Sequence, residues 1–167
     1  MSHNRLRPCH RQRFCVYFCR MNKKKDLVVA DALAYYREGF ACSSAMLMAF
    51  ADEFHLDKKQ AAALATGFGS GMGHLHRTCG ALSGAFMVLG LKYGNQEAAD
   101  QLKKQKTYRQ VRALNVQFEE RHGSSICREL LKKAAADGVP KAVSCTACVR
   151  SAAALCYDAL AADESEK

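Results

Sequence analysis

The nine cysteines in this 167-residue chain are its most chemically capable residues. A thiolate attacks disulfides and binds soft metals, whereas a protonated thiol does little of either, so the surroundings of each sulfur decide its use. Three of the nine, Cys9, Cys15 and Cys19, lie in a basic stretch at the start of the chain. Cys42, Cys79, Cys127 and Cys145 each fall in or just before the predicted first turn of a different helix. Gly39 ends the helix before Cys42, a glycine-rich loop precedes Cys79, Gly123-Ser124-Ser125 precedes Cys127, and Ser144 is placed to cap the helix of Cys145. Free backbone N–H groups and the helix dipole stabilise an anion at such a position. They lower a thiol pKa from about 8.5 toward neutrality.

The remaining two cysteines differ in kind. Cys145-Thr146-Ala147-Cys148 is a C-x-x-C pair, a spacing used by redox dithiols and by metal sites, and it makes Cys148 either a ligand or a small packed hydrophobe. A conventional zinc finger needs a second such pair about 12–20 residues away, and none exists. Cys156 sits mid-helix on an apolar stripe and reads as core.

The passage Gly67-Phe-Gly-Ser-Gly-Met-Gly-His-Leu-His-Arg-Thr-Cys79 is the most unusual in the chain. No strand precedes it, no frame gives G-x-G-x-x-G, and the Gly-Lys-Ser/Thr of a phosphate loop is missing. A plain turn between packed helices needs only one glycine. Gly69, Gly71 and Gly73, followed by His74, His76 and Arg77, therefore predict a binding site where backbone N–H groups crowd a ligand beside Cys79.

The elements that must position these residues are helices. Apolar residues recur at Val29, Leu33 and Tyr36 in a helix over 26–38, and at Met46, Leu47, Phe50 and Phe54 in a second. Asp57 and Gln60 carry the capping-box spacing for a third. The segment from Cys79 to Tyr93 is apolar all round, which predicts a central buried helix too short to span a bilayer. Gly80 and Gly84 give it a smooth face that suits close approach of a helix from the same chain or from a second copy. Tyr108, Val111, Leu114 and Phe118 mark a long helix ending at Gly123, and Cys145, Val149, Ala152, Cys156 and Leu160 mark the last. No strand pattern competes. The fold class is all-α: one domain of six or seven helices around a glycine- and alanine-rich central helix.

Charge narrows the function classes. Of the net +9, five charges come from Arg5, Arg7, Arg11, Arg13 and Arg20. No secretory apolar core follows them, so residues 1–20 read as a disordered or upstream extension ahead of a bacterial start at Met21, and 21–167 as a cytoplasmic domain. Lys103, Lys104, Lys106, Arg109 and Arg112 read as a solvated helix face rather than a nucleic-acid surface.

Several linked motifs match a known family. They are Glu-Gly-Phe-Ala-Cys-Ser-Ser-Ala-Met-Leu-Met-Ala-Phe over 38–50, Gly-Phe-Gly-Ser-Gly-Met-Gly, Thr-Cys-Gly-Ala-Leu-Ser-Gly, Leu-Gly-Leu-Lys-Tyr-Gly, and Phe118 through Leu131. Over about residues 30–160 the chain resembles the C_GCAxxG_C_C family of putative redox-active proteins. The resemblance places the family's four cysteines on Cys42, Cys79, Cys127 and Cys145, with Cys148 and Cys156 as additions. It implies a small helical bacterial protein that handles electrons or a metal through those sulfurs. Two readings follow from residues and resemblance together. In the first, the thiolates converge and either cycle through disulfides, with Cys79 attacking and Cys42 or Cys127 resolving, or hold a metal or iron–sulfur cluster on Cys42, Cys79, Cys127, Cys145 and Cys148 in exchange with an electron donor or acceptor. In the second, the cysteines clamp a structural zinc in an interaction module. No C-x-x-C-H occurs, which argues against covalent haem.

Overall fold

Two helix stops in this chain fall at glycines that relax into left-handed backbone. Gly39 (φ 104°) follows the first helix and Gly123 (φ 85°) caps the longest internal one. The computed structural model describes residues 10–165, with side chains over 24–163. Across them run α1 (His10–Arg37), α2 (Cys42–Ala49), α3 (Lys58–Thr66), α4 (Gly80–Tyr93), α5 (Gln101–His122), α6 (Cys127–Ala136) and α7 (Lys141–Ser165). A 3-10 turn at Ala51–Phe54 and a single turn at Gly69–Met72 complete the path. The only strand-like pairing among the described residues is an isolated bridge between Thr78 and Ile126. The all-α single domain expected from the periodicity is the architecture found. Residues 1–9, with Cys9, lie outside the described residues, as do the side chains of Cys15 and Cys19; the separate N-terminal segment read from the sequence falls largely there. α1 itself begins at His10, earlier than the periodic stretch from Asp26 marks it.

The apolar helix α4 lies at the centre, packed against α2, α5 and α7. Ala81, Leu82, Ala85, Val88 and Leu89 are sealed from solvent, while Leu91 near its end is 45% exposed. The smooth glycine face is filled from within the chain. A Cβ on Gly84 would stand 2.6 Å from Met46 Cβ and 2.7 Å from the Ser43 carbonyl oxygen, so α2 occupies the approach that a second copy was also expected to use. On its other side α2 is tied to α3 by two buried hydroxyls: Ser43 Oγ donates to the Ala65 carbonyl (2.7 Å) and Ser44 Oγ to that of Ala62 (2.9 Å). Each polar atom taken from water in this way recovers a partner.

Two expectations need correction. Tyr108 is 53% exposed, whereas Leu114 and Phe118 on the same helix are buried. At about 100° per residue, position 108 lies well off the face shared by Leu114 and Phe118, so only the later part of the stripe reaches the core. The last helix starts directly after Pro140, not at Ser144, because proline suits a helix start and Val143 and Ser144 both donate to the Pro140 carbonyl. Cys145 therefore stands in the second turn, where its own amide is no longer free. The basic residues of α5 lie on a solvated face, with Lys103 paired to Asp100 and Lys106 to Asp163. No helix among the described residues is long and apolar enough to cross a membrane.

Candidate functional site

The loops ahead of α4 and α6 run side by side and set two cysteines opposite each other. Cys79 N donates to the Ser125 carbonyl (2.8 Å), Cys127 N to that of Arg77 (2.6 Å) and Arg128 N to that of His76 (3.2 Å), flanking the Thr78–Ile126 bridge. Cys79 thereby becomes the N-cap of α4 and Cys127 the first residue of α6. Cys42 opens α2 on the neighbouring side, with its helix held against α4 by the glycine contacts. α7 contributes Cys145 and Cys148 one turn apart on one face, the i and i+3 positions of a helix.

All five sulfurs line one cavity of about 240 Å³, whose walls also include Tyr36, Phe40, Ser70, His76, Leu131 and Lys141. Cys79 and Cys148 are nearly sealed, at 6% and 4% exposure. Cys42 and Cys145 are half-buried. Cys79 and Cys148 share the cavity wall, close enough for the Cys148 thiol to act on the ionisation of Cys79. Cys127 Sγ lies 3.8 Å from His76 Nδ1. Cys156 stands apart as core, fully buried, its thiol directed at the Ala85 carbonyl 3.9 Å away. The six cysteines with described side chains are all free thiols.

The glycine loop contributes to one wall, and its backbone is left-handed over five residues. Ser70 (φ 52°), Gly71 (69°), Met72 (65°), Gly73 (60°) and His74 (66°) are consecutive left-handed residues, so the segment makes a turn of the opposite hand to every helix around it. Non-glycine residues there cost about 1–2 kcal/mol each. What the glycines achieve is close packing. A Cβ on Gly71 would stand 2.7 Å from Cys127 Cβ and 2.9 Å from the Arg77 nitrogen, and one on Gly69 2.7 Å from Ala41 Cβ. Of the predicted binding set, His76 lines the cavity, while His74 and Arg77 are exposed and Gly73 faces outward. Tyr36, Ser70 and Lys141 were not singled out by sequence reasoning. Tyr36 reads there as part of a core stripe, and nothing local marks Lys141.

The thiols also differ from expectation in their acidity. The backbone amides of Ser70 and Ser43 at Cys42, and of Leu82 and Ala81 at Cys79, do favour the thiolate. They are outweighed. Burial, with the neighbouring Cys79, raises the Cys42 thiol, and the Cys148 thiol together with burial holds Cys79 well above the usual thiol range. Burial, then Cys79, Cys145 and Cys42, pushes Cys127 up to about 11 against the opposing charge of Lys141. Burial raises Cys145, partly offset by its hydrogen bond with Tyr36. Burial is the leading physical reason and clustering adds to it: removal from water disfavours each thiolate, and thiolates brought together oppose one another's ionisation.

A stability prediction follows with a definite sign. Unfolded thiols ionise near pH 8.5–9, and Cys127 in the fold near 11, so the folded state holds more protons between those values. Stability is therefore full below about pH 8.5 and is lost as pH rises toward 11. Denaturant midpoints measured at pH 7.5, 9.5 and 10.5 should fall in that order, and fall less steeply in Cys127→Ser.

A thiolate-bound metal or iron–sulfur centre does not fit the residues as they stand. Among the described residues no three His, Cys, Asp or Glu side chains are arranged so that they could hold a metal ion. The sulfurs surround a space rather than a point. No curated protein and no solved structure matches the chain. A family model matches residues 40–159, most of the chain and all six cysteines from Cys42 to Cys156. The protein therefore belongs to the C_GCAxxG_C_C family, described as "Putative redox-active protein".

Proposed function

We propose that this chain is a thiol-based redox protein in which Cys79 and Cys148 cycle between dithiol and disulfide. The observation that carries the reading is that these two buried cysteines line one cavity together with three further cysteines, with the Cys148 thiol acting directly on that of Cys79. Cys79 keeps the attacking role that its helix-cap position suggested. The influence of Cys148 on the Cys79 thiol supports Cys148, the second residue of the C-x-x-C pair, as its partner in place of Cys42 or Cys127. In the reaction the Cys79 thiolate attacks one sulfur of an external disulfide R–S–S–R. One R–S⁻ leaves and takes the proton that Cys79 lost. Cys148 then attacks the mixed disulfide at Cys79 and releases the second R–SH, so two electrons pass from the protein to the substrate. A thiol or dithiol donor restores the reduced pair.

The direction follows from acidity. Oxidising dithiol proteins owe their potential to a stabilised thiolate in the reduced form. Here Cys79 is held protonated. The amides of Leu82 and Ala81 at Cys79 are outweighed, so the reduced form gains no net thiolate stabilisation and the pair acts as a reductant, whose thiolate, once formed, is a strong nucleophile. Anaerobic titration of the reduced full chain with diamide, followed by peptide mapping, should yield a Cys79–Cys148 disulfide first. Stoichiometric zinc in the purified protein, with unfolding on chelation and no such disulfide, would instead establish the structural metal module.

A further inference from the structure

We infer that the disulfide this site reduces is small and negatively charged, a carboxylate-bearing low-molecular-weight disulfide. The inference rests on the redox reading above and adds the class of substrate.

Size comes first. The two sulfurs that exchange electrons are 6% and 4% exposed, at the wall of a cavity of about 240 Å³. That space takes one arm of a small disulfide, with Phe40 and Leu131 against its methylenes. A disulfide on the surface of a folded protein cannot bring its sulfur to Cys79 without displacing these walls.

Charge comes second. No aspartate or glutamate lines the cavity, and its basic side chains are Lys141 and His76. Lys141 is exposed, and no ion pair involves it among the described residues. Its charge is nevertheless felt inside, since it favours the thiolates of Cys127 and Cys145. Backbone amides of Ser70 and Ala81, in the same walls, are directed at the sulfurs of Cys42 and Cys79. Because the thiols of Cys42, Cys79, Cys127 and Cys145 are held toward the protonated form, they place little negative charge against an incoming carboxylate. The site thus offers an anion a cation, inward amides and no opposing acid, and it offers a cationic disulfide nothing.

Three small disulfides of similar length separate the effects: 3,3′-dithiodipropionate (dianion), 2-hydroxyethyl disulfide (neutral) and cystamine (dication). Each is mixed at low ionic strength with the reduced full chain, and the Cys79–Cys148 disulfide is followed by mass mapping. Rates are divided by those of the same probe with free mercaptoethanol. The dianion should lead the neutral probe about fivefold, with the dication slowest. Lys141→Gln or 0.5 M salt should flatten the order, while Lys141→Arg should keep it. Equal normalised rates, a faster dication, an order indifferent to Lys141→Gln, or equally rapid reduction of a surface disulfide on a folded protein would each overturn the substrate class. If neither diamide nor any probe yields the Cys79–Cys148 disulfide, the redox reading itself falls, and the substrate class with it.

Discussion

In a Cys148→Ser variant, oxidation by a small disulfide is expected to stop at a long-lived mixed disulfide on Cys79. Release of the second thiol should slow by at least about 100-fold. The magnitude follows from proximity. Cys148 lines the same cavity as Cys79 and acts on its thiol, so resolution in the native chain is intramolecular. Well-oriented groups reach very high effective concentrations, and even about 0.1 M would exceed about 1 mM external thiol by two orders. The adduct is read as a mass increase of one substrate arm at Cys79. Cys42→Ser and Cys127→Ser should still form the native disulfide, because Cys148 is the cysteine whose side chain acts most on Cys79. If Cys127→Ser traps the adduct and Cys148→Ser does not, the resolving sulfur is the one the helix-start pattern favours.

The second large effect concerns the glycines of α4. Gly84→Ala is expected to destabilise the protein by about 1–3 kcal/mol, since the added methyl meets the Ser43 backbone and Met46 Cβ at 2.6–2.7 Å, where α2 cannot withdraw without repacking. Gly80→Ala should cost a similar amount and also perturb the site, because its methyl would fall on Cys42 Sγ and stand 2.9 Å from the Phe68 carbonyl oxygen. Gly90 on the same helix has nothing within 4 Å of a built Cβ, so Gly90→Ala should instead stabilise by about 0.5–1 kcal/mol through helix propensity alone. At this chain length 1 kcal/mol corresponds to roughly 2–4 °C in melting temperature. Opposite shifts within one helix would separate close approach from propensity. A stabilising Gly84→Ala would refute the packing argument.

Much of this arrangement is legible before any coordinates. Apolar periodicity and glycine stops are local signals, so the helices and the buried position of Gly80–Tyr93 follow from them. The starts of α2, α4 and α6 at or beside Cys42, Cys79 and Cys127 follow for the same reason. Cys145 was placed at a helix start because Ser144 is a good cap; Pro140 is a better starter, and competition between two adequate signals is decided by the surrounding chain. The Cys79–Cys148 contact joins positions 69 residues apart in the sequence, and nothing in either neighbourhood encodes it. Acidity was misread for a related reason. The helix-end effect belongs to one element, whereas the opposing effect appears only when several elements deliver their sulfurs to one dry space.

The left-handed turn at 70–74 bears on how that space breathes. Its residues stay in sparsely populated backbone conformations only because Cys127, Ala41 and the Arg77–Cys127 pairing hold them there. Such a wall has little intrinsic preference for its closed shape, so it is expected to be the part of the cavity that opens first. Local unfolding of these few residues would bare Cys42 and Cys127 while α4 and α7 stay packed. Amide exchange at Ser70 and Gly71 would then act as a clock for solvent reaching the thiols, ticking faster than exchange in the core helices.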